Sequence, residues 1–273
     1  MNKKIFGLLT VLLIFALSLT ACAGGKNGKT LRVGVRSDIV NFGYLNETSG
    51  KYYGMEIDIA EELANRLGYG DVEFVKVEPE TRKQMLQDGE VDCLIACYSI
   101  SSTRVENFDF SPAYYTDGIK VMVEKSSQLE KPAQLAGKRI GVMSGSNTGP
   151  ILAIKLREMG MIQGGDSKVT GVEGTSGTDT QTVFAGGITF VKADSYQTLS
   201  DMLETGEVDA AAMDGAITAT YMNDDRQIMD FNVSEQQYGV ATQKDSELSP
   251  KVAEQIQAML DDGTIDRLID KWN

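Results

Sequence analysis

The chain has 273 residues, 42% of them hydrophobic, enough to bury one large core or two modest ones. Its formal charge is −13 and it contains no histidine, which leaves no basic footprint for nucleic acid and removes the commonest general base. Without histidine, the usual serine and cysteine catalytic constellations, a zinc site and any other metal or cofactor are not expected either.

At the N-terminus, Lys3 and Lys4 precede an apolar run from Ile5 to Leu19, short for a membrane span and normal for the core of a signal peptide. Leu19-Thr20-Ala21-Cys22 resembles a lipobox, with cleavage before Cys22 and lipid on its thiol. We therefore expect a signal peptide at 1–21, a lipid-anchored tether at 22–30, and the rest of the chain on the extracytoplasmic face of the cell membrane. Uncleaved, the run would be an anchor helix that leaves the chain on the same side. Loss of Lys3 and Lys4 takes the charge from −13 to −15.

Two pairs of segments then recur in the same order. Arg32-Val33-Gly34-Val35-Arg36-Ser37 matches Arg139-Ile140-Gly141-Val142-Met143-Ser144, and Met85 to Asp92 matches Met202 to Asp209. Two similar α/β lobes are expected. In the first copy, a strand at Leu31 to Val35 leads through a hairpin-like stretch to a helix whose face carries Ile57, Ala60, Leu63, Ala64 and Leu67, ended by Gly68. Val72 to Val77 reads as a strand, Thr81 to Gln87 as a short helix, and Val91 to Tyr98 as a strand buried on both faces.

The polar residues that follow, Ser99, Ser101, Ser102 and Thr103, are helix-capping types. Arg104 is expected in the first turn of that helix, as part of an anion site built on the helix dipole. Cys93 and Cys97 lie four residues apart on the expected strand, ~13 Å between α-carbons. A disulfide needs less than ~7 Å, so both are read as buried small hydrophobes.

Alternating strands and helices argue for parallel βαβ units, in which ligands bind beyond the carboxyl ends of the strands. Those ends fall at Arg36, Ser99, Ser144 and Asp214, so polar residues converge on one rim of each lobe. Gly118 to Glu124 reads as an extended crossover, Tyr238 to Thr242 as its return, and Lys251 to Leu260 and Thr264 to Trp272 as closing helices. Between Met161 and Thr189 a Gly/Thr-rich insertion without sustained period, GGDSKVTGVEGTSGTDTQTVFAGG, reads as a surface loop or hairpin, with a lid over the cleft as the alternative.

Taken together, GMEIDIAEELANRLG, GEVDCLIACYSISSTR, FDFSPAYY, GKRIGVMSGSNTG, GEVDAAAMD, YGVATQKD and DGTIDRLIDKW resemble the extracytoplasmic solute-binding proteins of polar amino-acid ABC importers (bacterial solute-binding protein family 3). The likeness spans nearly all of Leu31 to Trp272 outside the insertion. It implies a periplasmic-binding-protein-like α/β fold: two lobes, 31–117 with 237–273 and 118–236, joined by two hinge strands with the ligand cleft between them.

By the same resemblance Arg104 grips the α-carboxylate, helped by Ser99 and by the Ser146-Asn147 backbone, and Asp214 accepts the α-ammonium. Arg82 and Arg36 match positions that carry cations toward a distal carboxylate in glutamate- and aspartate-binding members. The alternative is that Arg82 is a surface helix residue and Arg36 pairs with Asp38. Tyr196 is expected to reach the ligand from the second lobe, with Tyr98 or Phe42 as its wall. This chain departs from the family pattern at Ser102-Thr103, where Pro-Glu is usual, at Pro112-Ala113 and at Met55.

The implied function is a monomeric, non-enzymatic lipoprotein that captures glutamate or aspartate and hands it to a membrane permease. Competing expectations are a protein for glutamine or another polar amino acid, a dehydratase-type enzyme on the same fold, and a sensor ectodomain.

Overall fold

The computed structural model describes residues 27–163, 181–184 and 187–272. The expected signal peptide, the lipidation residue Cys22 and most of the Gly/Thr-rich insertion lie outside the described residues. The last part of the expected tether does not stay flexible. It opens strand β1 (Asn27–Val35), which pairs in parallel with β5 (Tyr69–Lys76) from Asn27 onward, with an irregularity before Thr30.

After β1 come a small antiparallel sheet of β2 (Asp38–Ile39), β3 (Gly43–Asn46) and β4 (Lys51–Tyr53), then helix α1 (Met55–Arg66) and β5. Helix α1 forms where the apolar period places Ile59, Ala60, Leu63 and Ala64 on one buried face. Full burial of a side chain such as Leu63 contributes about 1.5–3 kcal/mol. The helix stops at Gly68, whose φ of +79° suits the left-handed turn that only glycine adopts cheaply. Helix α2 (Arg82–Gln87), β6 (Cys93–Ile95), the single-turn α3 (Ser102–Val105) and β7 (Phe108–Phe110) complete this part of the chain.

Strand β8 (Tyr115–Glu124) crosses to a second sheet built with β9 (Arg139–Met143), β10 (Gln181–Val183), β11 (Thr189–Ala193), β12 (Ala210–Asp214), β13 (Arg226–Ile228) and β14 (Glu235–Tyr238). Helices α4 (Thr148–Glu158), α5 (Tyr196–Glu204) and α6 (Gly215–Tyr221) belong to this lobe. Strand β15 (Ala241–Gln243) then returns to the first sheet, whose order is β5-β1-β6-β15-β7. The final helices α7 (Ser249–Asp261) and α8 (Thr264–Trp272) pack on α1, and Lys271 Nζ and Trp272 Nε1 each lie 2.6 Å from Asp58 Oδ2. The molecule therefore has the mixed α/β, two-lobed, periplasmic-binding-protein-like fold. Strands β8 and β14 run side by side between the lobes, with Asp117 opposite Gln236 and Tyr115 opposite Tyr238.

The sequence repeat has a concrete structural meaning. In the first lobe the Asp92 carboxylate accepts from Arg32 N at 2.8 Å and from its guanidinium, while Arg32 Nη1 reaches Gly89 O at 2.7 Å. In the second lobe Asp209 accepts from Arg139 N at 2.8 Å and Nε at 3.2 Å, and Arg139 Nη2 reaches Gly206 O at 2.8 Å. The same Arg–Asp clamp thus closes the entrance of the same parallel strand pair twice. Gly34 and Gly141, at matching positions, leave no room for a Cβ because Leu94 and Leu199 would stand 2.6 and 2.3 Å from it.

Two local expectations are corrected. The expected strand Val91 to Tyr98 is regular only over Cys93–Ile95, because Cys97 takes a left-handed φ of +47° and turns the chain out of the sheet. Helix α3 spans only four residues, and Ser101 caps it without a side-chain hydrogen bond. So short a helix carries no useful macrodipole, and Arg104 is instead held by direct hydrogen bonding, Nη1 to Ser99 O at 2.9 Å. Cys93 and Cys97 are both buried and form no disulfide, but only Cys93 is a plain small hydrophobe, because the Cys97 thiol faces Glu56 Oε2 at 3.7 Å.

Candidate functional site

The carboxyl ends of β1, β6, β9 and β12 face one another across the gap between the lobes, and there the charged side chains go under cover. Arg36, Arg82, Arg104 and Asp214 are each no more than 5% exposed. Isolated charges buried to this degree cost several kcal/mol unless something compensates them. The compensation differs from residue to residue.

Arg36 is compensated within its own lobe. Its Nε and Nη2 form a fork on Asp38, at 3.0 and 2.6 Å, and Glu78 lies 3.6 Å away. Burial works against its charge, and Asp38 more than restores it, so its pKa stands above the ordinary arginine value. The alternative in which Arg36 pairs with Asp38 is thus the arrangement present. Its guanidinium also sits 5.6 Å from the ring centre of Tyr196, a second-lobe residue at the start of α5.

Arg82 is not a surface residue of its helix. It is 3% exposed, its Nη1 donates to Ala96 O at 2.6 Å, and its Nε has no hydrogen-bond partner. Its guanidinium lies 4.7 Å from the Tyr98 ring centre. No carboxylate pairs with it among the described residues. Burial, with Arg104 and Arg36 close by, pulls its pKa below the ordinary arginine value to about 10. Even so it is a cation at neutral pH.

Arg104 packs 4.1 Å from the same Tyr98 ring, which also stacks on Phe110 at 5.6 Å. Ser99 donates its Oγ to Gln236 Oε1 at 2.8 Å, across to the returning hinge strand.

On the second lobe, Ser146 turns its hydroxyl inward to Met143 O at 2.8 Å, and Thr148 N reaches the same hydroxyl at 3.3 Å. Asn147 is the half-buried residue just ahead of α4, with no side-chain cap. Asp214 ends β12 and accepts from Thr148 Oγ1 at 3.1 Å and Tyr238 Oη at 2.8 Å. Burial pushes its pKa up, Tyr238 pulls it back, and Asp117 pushes it up again. Asp117 Oδ2 is 3.0 Å from the same phenol oxygen. A phenol has one proton to give, so the two carboxylates share a donor sufficient for one. The position is suited to a cation.

An aromatic wall closes the site. Phe42 meets Tyr115 edge-on at 5.0 Å and Tyr238 at 6.3 Å, and Tyr115 stacks on Tyr238 at 5.9 Å. A cavity of about 560 Å³ opens beside it, between Phe42 of the first lobe and Thr218 of the second. The lobes touch at Gly145, whose added Cβ would come within 2.6 Å of the Pro79 and Glu80 backbone.

All eight expected ligand residues thus lie at or beside one interlobe site. Sequence reasoning missed Thr148, Asp117, Gln236 and Tyr238, the partners of Asp214 and Ser99, and Glu56, a buried acid of α1 that accepts from Tyr114 Oη and Cys97 N at 2.5 and 2.7 Å. Burial raises the Glu56 pKa, against those two bonds and the charge of Arg36. Thr148 and Tyr238 stood in motifs noted for their resemblance, SGSNTG and YGVATQKD. Glu56 stood in another, GMEIDIAEELANRLG, whereas Asp117 and Gln236 carried no signal of their own.

The sequence profile of the bacterial extracellular solute-binding proteins, family 3, matches residues 31–273. The glutamine-binding protein GlnH of an ABC transporter in Bacillus subtilis is 26% identical over 99% of this chain and 97% of its own length. The arginine-binding extracellular protein ArtP of the same organism is 26% identical over 100% and 98%. Among solved structures, an ancestral arginine-binding protein bound to arginine superposes with a TM-score of 0.72 at 28% identity, covering 90% of this chain and 99% of that one.

Proposed function

Because the chain belongs to the bacterial extracellular solute-binding proteins of family 3, we propose that it captures an acidic amino acid, glutamate or aspartate, and delivers it to an ABC permease. The observation that carries the choice of ligand is Arg82: a guanidinium buried in the interlobe site with Nε unpartnered and no carboxylate beside it among the described residues. A buried cation in that state gains most from an anion that arrives with a planar, two-oxygen acceptor.

In this reading Arg104, with Ser99 and the Ser146-Asn147 backbone, takes the α-carboxylate. Asp214, oriented by Thr148 and Tyr238, takes the α-ammonium, and Arg82 takes the distal carboxylate. Arg36, held by Asp38, adds positive field and a surface for Tyr196. The apolar part of the ligand lies along Tyr98 and the Phe42 wall. Each assigned group binds or orients a charge, which supports capture without chemical conversion. We further infer that Cys22 carries lipid and holds the protein at the extracytoplasmic face as a monomer.

Glutamine is the second reading, favoured by the neutralisation of Arg36 by Asp38, which leaves one cation in place of two at the distal end. Calorimetric titration of the purified mature protein with glutamate, aspartate, glutamine and arginine decides between them. We expect glutamate or aspartate to bind most tightly. Tightest binding of glutamine or arginine rejects the acidic reading.

The site is divided between two lobes, so closure is part of binding. Solution scattering is expected to give a smaller radius of gyration with saturating ligand than without. Gly145→Ala is expected to weaken that contraction and the affinity together, since Gly145 has φ of +67° and abuts the Pro79 backbone. An unchanged radius in the wild type contradicts a hinged cleft.

A further inference from the structure

Among the described residues, Glu56 is the one buried carboxylate of the site that the binding scheme leaves without a task. It is the second residue of α1 and fully buried. Its Oε1 accepts from Cys97 N at 2.7 Å and from Tyr114 Oη at 2.5 Å, and its Oε2 lies 3.7 Å from Cys97 Sγ. The peptide unit whose N–H it takes is Ala96–Cys97. The carbonyl of that same unit, Ala96 O, accepts from Arg82 Nη1 at 2.6 Å.

One peptide plane is therefore held at its oxygen by a cation and at its N–H by a carboxylate. Both ends of the peptide group are bonded, and the bond from the Arg82 guanidinium to its oxygen is charge-assisted, the stronger kind. The grip also explains how Cys97 keeps a φ of +47°, a conformation that an L-residue holds only when its surroundings over-determine it. Released from Glu56, this peptide would be free to rotate toward an ordinary backbone angle and carry Ala96 O away from Arg82. Tyr98, the next residue, would move with it, and its ring is what Arg82 and Arg104 both pack against.

We propose that Glu56 is the positioning residue of the distal subsite: acting through the Ala96–Cys97 peptide, it fixes the Arg82 guanidinium where the side-chain carboxylate of the ligand meets it. The inference rests on the acidic amino-acid reading for the identity of that ligand group, and on geometry alone for the coupling between Glu56 and Arg82. It makes Glu56 a determinant of selectivity although it need never touch the ligand.

The test is a double-mutant cycle on the mature protein, titrated with glutamate, aspartate and glutamine. Glu56→Ala is expected to weaken the acidic ligand by about tenfold or more and glutamine by less than about threefold. On an Arg82→Ala background the same change is expected to cost less than about threefold, because the residue it positions is gone. Glu56→Gln is expected to recover most of the loss, since its amide oxygen can accept from both Cys97 N and Tyr114 Oη.

Additive losses in the double variant, equal losses for acidic and amide ligands, or no recovery in Glu56→Gln each overturn the proposal. Should Glu56→Ala fail to melt cooperatively, Tyr114→Phe, which removes one hydroxyl from the network, takes its place in the cycle with the same criterion. The two readings fail separately. Equal losses for all three ligands in Arg82→Ala alone remove the acidic reading, and the coupling is then read on whichever ligand binds most tightly.

Discussion

Arg82→Ala is expected to weaken glutamate or aspartate binding roughly thirty-fold to a thousand-fold, about 2 to 4 kcal/mol, and glutamine binding much less. The size follows from the surroundings of the guanidinium. It is buried, donates one hydrogen bond to Ala96 O, and has no carboxylate beside it among the described residues, so its remaining donors are available to a ligand carboxylate. An amide side chain offers one oxygen and two donors, and its donors would face a cation. Arg36→Ala is expected to act more weakly. Asp38 already occupies the Arg36 fork, so that substitution removes positive field and leaves Asp38 unpaired at the rim. Titration of both variants with the three ligands at one salt concentration checks the ranking. A larger effect for Arg36 than for Arg82 reverses the assignment of the distal contact.

Asp214→Asn and Arg104→Ala are each expected to abolish measurable binding while leaving the fold intact. Asp214 already has two neutral donors, Thr148 and Tyr238, which satisfy lone pairs without neutralising its charge. Asparagine keeps the shape, can still accept from one of them, and presents an NH₂ group where the ligand ammonium needs an acceptor. A charge-assisted hydrogen bond is worth about 1.5 to 3 kcal/mol, and leaving the partner charge unpaired costs more. Normal affinity in either variant, with unchanged thermal melting, contradicts the assignment.

The raised pKa of Asp214 adds a pH signature. Without ligand, burial disfavours the carboxylate, so the folded state binds protons more readily than the unfolded chain. This group therefore lowers stability as pH rises from the ordinary aspartate value of about 3.9 through its folded pKa. Ligand binding has the opposite sign, because the ammonium needs the ionised form. Affinity is expected to fall on acidification, beginning at a pH above that of an ordinary aspartate, while the ligand-free protein loses no stability through Asp214. Calorimetry and melting curves over the same pH series separate the two effects. Affinity that holds steady until the pH of ordinary aspartate titration rejects this account.

Much of the architecture was legible because it depends on neighbours in sequence. The apolar face of α1, the glycine that ends it and the strand Arg139–Met143 follow from local period and backbone preference. The paired segments around Arg32–Asp92 and Arg139–Asp209 announced two similar lobes even though the clamps themselves could not be seen. The strand near Cys97 was over-read for a physical reason. Hydrophobic content sets a tendency to be buried, but the turn at Cys97 depends on Glu56, a residue 41 positions away in the chain.

The binding residues divide in the same way. Position at strand ends identified Arg36, Ser99, Ser144 and Asp214 as a polar rim, since strand direction carries those ends to one edge, whereas Arg104 followed from the capping residues before its helix and Arg82 from the family resemblance alone. Only the tertiary structure decided which of these charges were already answered. Asp38, two residues on at the start of β2, turns back onto Arg36, Arg82 is driven inward with no acid to meet it among the described residues, and Tyr238 and Asp117 arrive beside Asp214 from hinge strands 24 and 97 residues away in sequence (238 − 214 and 214 − 117). Sequence by itself determined the two lobes, the succession of strands and helices along the chain and the chemical character of the cleft, all of which follow from local period and backbone direction. Charge compensation is a sum over whatever packing brings within a few ångströms, so the free guanidinium and the paired one became distinguishable only in the folded chain.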